Sequence, residues 1–152
     1  MNEVDHLRYL ILSAQREGNR RLIHALKPLG ITPAQAEVVR ILGDHEPLTL
    51  TGLGELLVCE SGTNPSRLVD RLVVAGLVQR EAGSGDRREV VLTLTAGGRG
   101  VEERVRMIEH GLFTPVGSAI APSDLAAVVR VLETIVSGTE SGDALQKRRL
   151  AD

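Results

Sequence analysis

Apolar residues recur with a helical period along most of this chain and with a strand period in one short region. Across residues 4–26, Leu7, Leu10, Ile11, Ala14, Leu22, Ile23 and Leu26 share one face, with Arg8, Arg16, Glu17, Arg20 and Arg21 between them, and the spacing predicts a long helix. Gly18 and Asn19 weaken its middle by about 1 kcal/mol in propensity, and Pro28 and Gly30 end it. Thr32 then reads as an N-cap, with Pro33 at the first helical position and Gln35 completing a capping box. Ala36, Val38, Val39, Ile41 and Leu42 give that helix its apolar face, and Gly43 its expected stop. Residues 47–50 are too short to stand alone and suit a third strand. Thr51 is the expected cap of a helix over 52–58, with Leu53, Leu56 and Leu57 inward. Beyond a turn at 59–62 lies a helix with Leu68, Val69, Leu72 and Val73 on one face and Ser66, Arg67, Asp70 and Arg71 on the other. Gly76 sits where a C-cap needs positive φ. Strands are predicted over 77–81 and 90–94, joined by a polar loop over 82–89. Thr95 caps a helix with the stripe Val101, Val105, Ile108 and Leu112, continuing towards Ile120; Glu102, Glu103, Arg104, Arg106 and Glu109 fall largely outside it. Pro122 and Ser123 interrupt, and Ser123 is the expected cap of a last helix through Leu125, Val128, Val129, Leu132, Ile135 and Val136. Residues 138–152 read as a flexible polar tail, whose Lys147, Arg148 and Arg149 are either solvated or touch a nucleic-acid backbone.

Two short helices followed by a hairpin whose tip carries two arginines form a winged helix-turn-helix: one helix for the major groove, one wing for the minor groove. The fold class expected is mostly α with a small β-wing, a DNA-binding lobe over 31–98 and dimerisation helices over 1–30 and 99–137. Ser61, Thr63 and Asn64 all qualify as caps of the recognition helix, and Pro65 fits its first turn. Ser61, Thr63, Asn64, Ser66 and Arg67 then cluster at the end that meets bases and phosphates. Asn favours adenine and Arg guanine, while Ser and Thr suit phosphates as well. Arg71, one turn on, is either a phosphate contact or part of an ion pair. In the wing, Gly83 and Gly85 permit close approach to a groove, and an arginine gains from the negative potential of a narrow minor groove. Taken singly, these are ordinary capping and solvent residues; their order along the chain favours DNA contact.

Three linked strings, LVDRLVVAGLVQRE (residues 68–81), GDRR (85–88) and LTLTAGG (92–98), resemble the MarR family of dimeric transcription factors in order and spacing. The motifs cover about a third of the chain, and the helix layout outside them matches as architecture. The resemblance implies that Asp86 holds an arginine in place while Arg87 or Arg88 enters the minor groove. It also implies a dimer built on the first and last helices, a pseudo-palindromic operator, and a small anionic or phenolic effector bound beside the first helix. His24 and His110 are candidates to face that effector, or are surface or satisfied core histidines.

Composition narrows the alternatives. The 152 residues suit one domain with added dimerisation helices, and an apolar content of 42% is ample for a core. No apolar run approaches the roughly 20 residues of a membrane span, and the start of the chain lacks the pattern of a signal peptide, so a cytoplasmic location is expected. The single Cys59 excludes a disulfide framework; it is either a buried filler or a redox sensor, although sensing members of the resembling family place theirs on the first helix. Net charge is −2, and across residues 60–90 Arg67, Arg71, Arg80, Arg87 and Arg88 balance Glu60, Asp70, Glu81, Asp86 and Glu89. The case for DNA therefore rests on where the arginines stand. Near-neutrality favours the competing reading, a winged helix kept for protein contact. The four histidines lack metal-ligand spacing, no cofactor is indicated, and no nucleophile, base and orienter stand together, which argues against an enzyme.

Overall fold

The capping signals of the sequence are realised as hydrogen bonds. In the computed structural model, which describes residues 1–58, 64–83 and 89–151, Thr32 Oγ1 accepts from the Gln35 amide at 3.2 Å while Gln35 Oε1 accepts from the Thr32 amide at 2.9 Å. Pro33 opens α2 (Pro33–His45). Ahead of it, α1 (Glu3–Leu26) starts from a second capping box, Asn2 with Asp5, and runs unbroken through Gly18. A 3-10 turn (Lys27–Leu29) ends on Gly30 in the left-handed region, reversing the chain into α2.

Several boundaries differ from expectation, each for a physical reason. Gly43 does not stop α2. A Cβ there would stand 2.6 Å from Glu102 Cγ, so the glycine makes room for a neighbouring helix. Thr49, not Thr51, caps α3 (Leu50–Gly54), accepting from the Gly52 amide at 3.0 Å. Thr49 is the last residue of β1 (Leu48–Thr49) and already has the extended backbone an N-cap requires. The helix is correspondingly shorter than 52–58. Downstream, α4 (Pro65–Val74), β2 (Val78–Ala82), β3 (Val90–Leu94) and α5 (Ala96–Ser118) follow in the expected order. Then α6 (Pro122–Val136) starts on its proline from Ala121 without a side-chain cap, so Ser123 lies inside the first turn. Residues read as a tail form α7 (Glu140–Ala151), with Ala144 buried.

The sheet is antiparallel in the order β1-β3-β2, with Val78 opposite Leu94, Ala82 opposite Val90, and Leu48 opposite Leu92. Its inward residues, Val78, Leu92 and Leu94, meet Val38, Val39 and Leu42 of α2, Leu53 of α3, and Leu68, Val69 and Leu72 of α4. Each such side chain contributes roughly 1.5–3 kcal/mol on leaving water. A second cluster, Leu26, Ala36 and Val105, ties α2 to α1 and α5. α2 is thus shared: one face belongs to the lobe, the other to the long helices.

The junction of lobe and α5 is tight. α4 ends in a Schellman turn, with the Leu77 amide on Leu72 O, the Gly76 amide on Val73 O, and Gly76 at φ +71°. Thr95 caps α5 through the Gly98 amide (2.9 Å), its hydroxyl donates to Gly76 O (2.7 Å), and its amide donates to Leu77 O (3.1 Å).

Candidate nucleic-acid interface

Pro65 at the first helical position settles where α4 begins. Asn64 is the N-cap, its Oδ1 accepting from the Ser66 amide at 3.0 Å. Capping occupies the oxygen that a bidentate contact with adenine would also need, so the helix start and base reading compete for one side chain. Leu68, Val69 and Leu72 are buried, which turns Arg67 and Arg71 outward, four residues apart and both exposed. Among the described residues neither arginine makes an ion pair. Ser66 is half-buried beside the cap. Ser61 and Thr63 of the recognition segment, Asp86, Arg87 and Arg88 of the wing, and Cys59 lie outside the described residues.

Three anchors that hold this surface were not anticipated. Asp70, between the two outward arginines, accepts from Arg80 of β2 at 2.5 Å and links the recognition helix to the base of the wing. Glu46 accepts from the Leu94 amide at 2.6 Å and pairs with Arg99, pinning the end of β3 to the start of α5. Glu37 is a buried carboxylate on α2 that accepts from the Val58 amide at 2.8 Å and from Arg148 of α7. The signal for Glu37 was available: it stands three residues after Ala34 and four before Ile41, both buried, which places it on the inner face of a helix.

Lobe and long helices are joined by a charged network. Arg40 of α2 reaches Glu102 at 2.5 Å and Glu109 at 3.1 Å on α5, while Arg106 bridges Asp44 at 2.8 Å and Glu102 at 2.7 Å. Glu102, expected outside the apolar stripe, is buried because Gly43 leaves it space and two guanidinium groups neutralise it. Burial pushes the Asp44 carboxyl up, but the Arg106 hydrogen bond and the Arg40 and Arg106 charges outweigh it and hold the group below its usual value. The same Asp44 contact raises Arg106 further.

His24, in the last turn of α1, and His110, on α5, are both exposed, and His110 Nδ1 lies 3.2 Å from Thr114 Oγ1. Among the described residues, neither lines the open groove on the wing sheet bordered by Glu46, Glu81, Thr93 and Arg99, nor the space of about 940 Å³ between α6 and α7.

Residues 31–90, from the start of α2 to the start of β3, match the MarR family. The organic hydroperoxide resistance transcriptional regulator of Bacillus subtilis is 30% identical over 109 residues, 68% of this chain and 74% of that protein. The chain belongs to the MarR family. The multiple antibiotic resistance protein MarR of Escherichia coli is 28% identical over 136 residues, covering 89% of this chain and 94% of that one. The fold agrees as well. The structure of a mutant E. coli MarR complexed with operator DNA aligns with a TM-score of 0.74 at 28% identity, over 89% of this chain and 96% of that chain. CouR from Rhodococcus jostii, bound to p-coumaroyl-CoA, shares the fold with a TM-score of 0.75 at 21% identity, over 90% and 95% of the two chains. The MarR-type architecture expected from the three strings is therefore present: a mostly helical chain carrying a small winged sheet. Among the described residues no helix is long and apolar enough to cross a membrane.

Proposed function

We propose that this MarR-family chain is a homodimeric repressor that binds a pseudo-palindromic DNA operator. The observation that carries the reading is α4: its buried Leu68, Val69 and Leu72 force Arg67 and Arg71 outward, beside the base of the wing, where Arg80 meets Asp70. The recognition-helix contacts are assigned to Ser61, Thr63, Asn64, Ser66, Arg67 and Arg71, and the wing contacts to Asp86, Arg87 and Arg88. The operator-bound structure of its E. coli relative supports the same use of the fold here.

The apolar face of α6 supports a second copy. Val128, Val129, Leu132 and Ile135 are between 39% and 52% exposed, and α1 leaves Leu7 and Leu10 similarly open. Apolar helix faces left this open are costly in water and support an interface. Two-fold pairing would set the recognition helices roughly one DNA turn, about 34 Å, apart. An anionic or phenolic effector that favours one lobe spacing would tune affinity by shifting that equilibrium, with His24 and His110 as its candidate contacts.

The test is fluorescence anisotropy on duplexes selected from genomic fragments, with wild type and Arg87→Ala/Arg88→Ala compared across a salt series. Tight wild-type binding with a steep salt slope, and a large loss in the variant, is expected. Selection that returns no sequence above random duplex would overturn the reading in favour of a protein-contact winged helix. Sedimentation of Leu132→Glu reports on the dimer, which this variant should split.

A further inference from the structure

The C-terminal helix folds back onto the helix-turn-helix. Lys147 of α7 reaches Glu55 at 2.8 Å, just past α3, and Arg149 reaches Glu133 of α6 at 2.5 Å. Between them Arg148 makes two contacts at once. Its Nε donates to Leu56 O at 2.8 Å, and its Nη2 donates to Glu37 Oε1. Glu37 Oε1 also accepts from the Val58 amide. One buried carboxylate and one guanidinium therefore hold a carbonyl and an amide of residues 56–58, the stretch that leads into the recognition helix. The environment sets this pair apart from its neighbours. The side chains of Glu37 and Arg148 are 8% and 28% exposed, whereas Glu55 and Glu133 are 56% and 50% exposed. Exposed pairs add little; a buried carboxylate without its cation is strongly unfavourable. A charge cluster that reads from sequence as either solvated or touching a nucleic-acid backbone is thus paired with protein carboxylates.

We propose that Arg148 and Glu37 are a positioning pair for α4: the C-terminal helix fixes the chain entering the recognition helix, and so takes part in DNA binding without touching DNA. The proposal rests on the DNA-binding reading above. With this clamp open, residues 56–58, which lead into α4, would take other positions while the α4 core residues stay packed, and operator affinity would fall by the fraction of chains lost from the competent arrangement.

Two measurements on the full chain separate the clamp from the reading it rests on. Hydrogen exchange of the free protein should show the Val58 amide exchanging roughly tenfold faster in Arg148→Ala, with Lys147→Ala and Arg149→Ala unchanged. Operator titration should show Arg148→Ala about tenfold weaker, within the usual range of such couplings, at an unaltered salt slope, and Arg148→Lys partly restored. A slope lower by about 0.9 would mean that Arg148 contacts a phosphate and would overturn the proposal. So would unchanged exchange at Val58, whatever the protein does with DNA. Wild type that binds no genomic duplex, with the exchange effect intact, would leave a clamp of purely structural use and refute the positioning role together with the DNA reading. Should Arg148→Ala loosen the whole fold, Glu37→Gln/Arg148→Gln removes the buried charge and releases α7; equal operator affinity in that variant would also overturn the proposal.

Discussion

Replacing Gly98 by alanine places a methyl group where the backbone leaves no room. The added Cβ would lie 1.9 Å from Leu77 O and 2.9 Å from Leu77 C, both main-chain atoms with no side chain to swing away. Ordinary contact begins at 3.4 Å, so the start of α5 must retreat from Leu77 by about 1.5 Å. That retreat breaks the Thr95 amide bond to Leu77 O and the Thr95 hydroxyl bond to Gly76 O. Two hydrogen bonds at about 1 kcal/mol each, with at least 1 kcal/mol of overpacking, give a loss of about 3 kcal/mol. At this chain length that lowers Tm by roughly 6–12 °C. Gly100→Ala is the matched control: it lies in the same helix with nothing within 4 Å of its would-be Cβ, and should gain about 0.5–1 kcal/mol. Urea titration of both variants at one fixed protein concentration gives the comparison, because the proposed dimer would make stability concentration-dependent. A Gly98→Ala midpoint within about 0.5 kcal/mol of wild type would refute the argument, since it would mean that the junction accommodates a shift the backbone geometry forbids.

Three further outcomes are expected. Arg67→Ala should cost about 1–3 kcal/mol of operator affinity and relax base preference at one position per half-site; anisotropy with single-base operator variants checks it, and uniform weakening across all of them would reassign Arg67 to the phosphates. Arg71→Ala should instead weaken binding evenly and reduce the salt slope by about 1. Asp44 carries a lowered pKa, so its stabilisation is complete above the unfolded carboxylate range and is lost as pH falls through the lowered folded value. Urea midpoints taken from about pH 6 down to about pH 3 should therefore fall in wild type and fall less in Asp44→Asn; parallel curves would dismiss the Asp44 contribution.

What the sequence disclosed, and what it hid, follows from the range of the interactions. Thr32 with Gln35, Gly76 and Thr95 act within a few residues, and each is used as its local pattern indicates. The choice between two nearby threonines was not local: Thr49 won because β1 pairs with β3, some forty positions away, and gives it an extended backbone. The helix in residues 138–152 was invisible for a related reason. It lacks an apolar stripe, and Arg148 meets Leu56 and Glu37 at separations of 92 and 111 residues, which no periodicity records. Glu37 and Glu102 were hidden differently: Glu37 is legible as an acid on an inner helix face but its partner arginine is not, and Glu102 is buried only because Gly43, on another helix, leaves it space. On the candidate interface, the order of the two helices and the paired strands was readable, while the use of the Asn64 oxygen as the cap became visible only with the geometry of the helix start.

The three-residue turn between α4 and β2 has a mechanical consequence. Two amide hydrogen bonds close it, and the residues on either side share one apolar core. Recognition helix and wing base are then two arms of a rigid bracket, and the lobe behaves as a caliper with a set gap. On the DNA-binding reading, a duplex whose grooves are spaced differently is met by bending the duplex or rotating the whole lobe, not by opening the caliper. Sequences that deform cheaply would be preferred even at base pairs no side chain reaches.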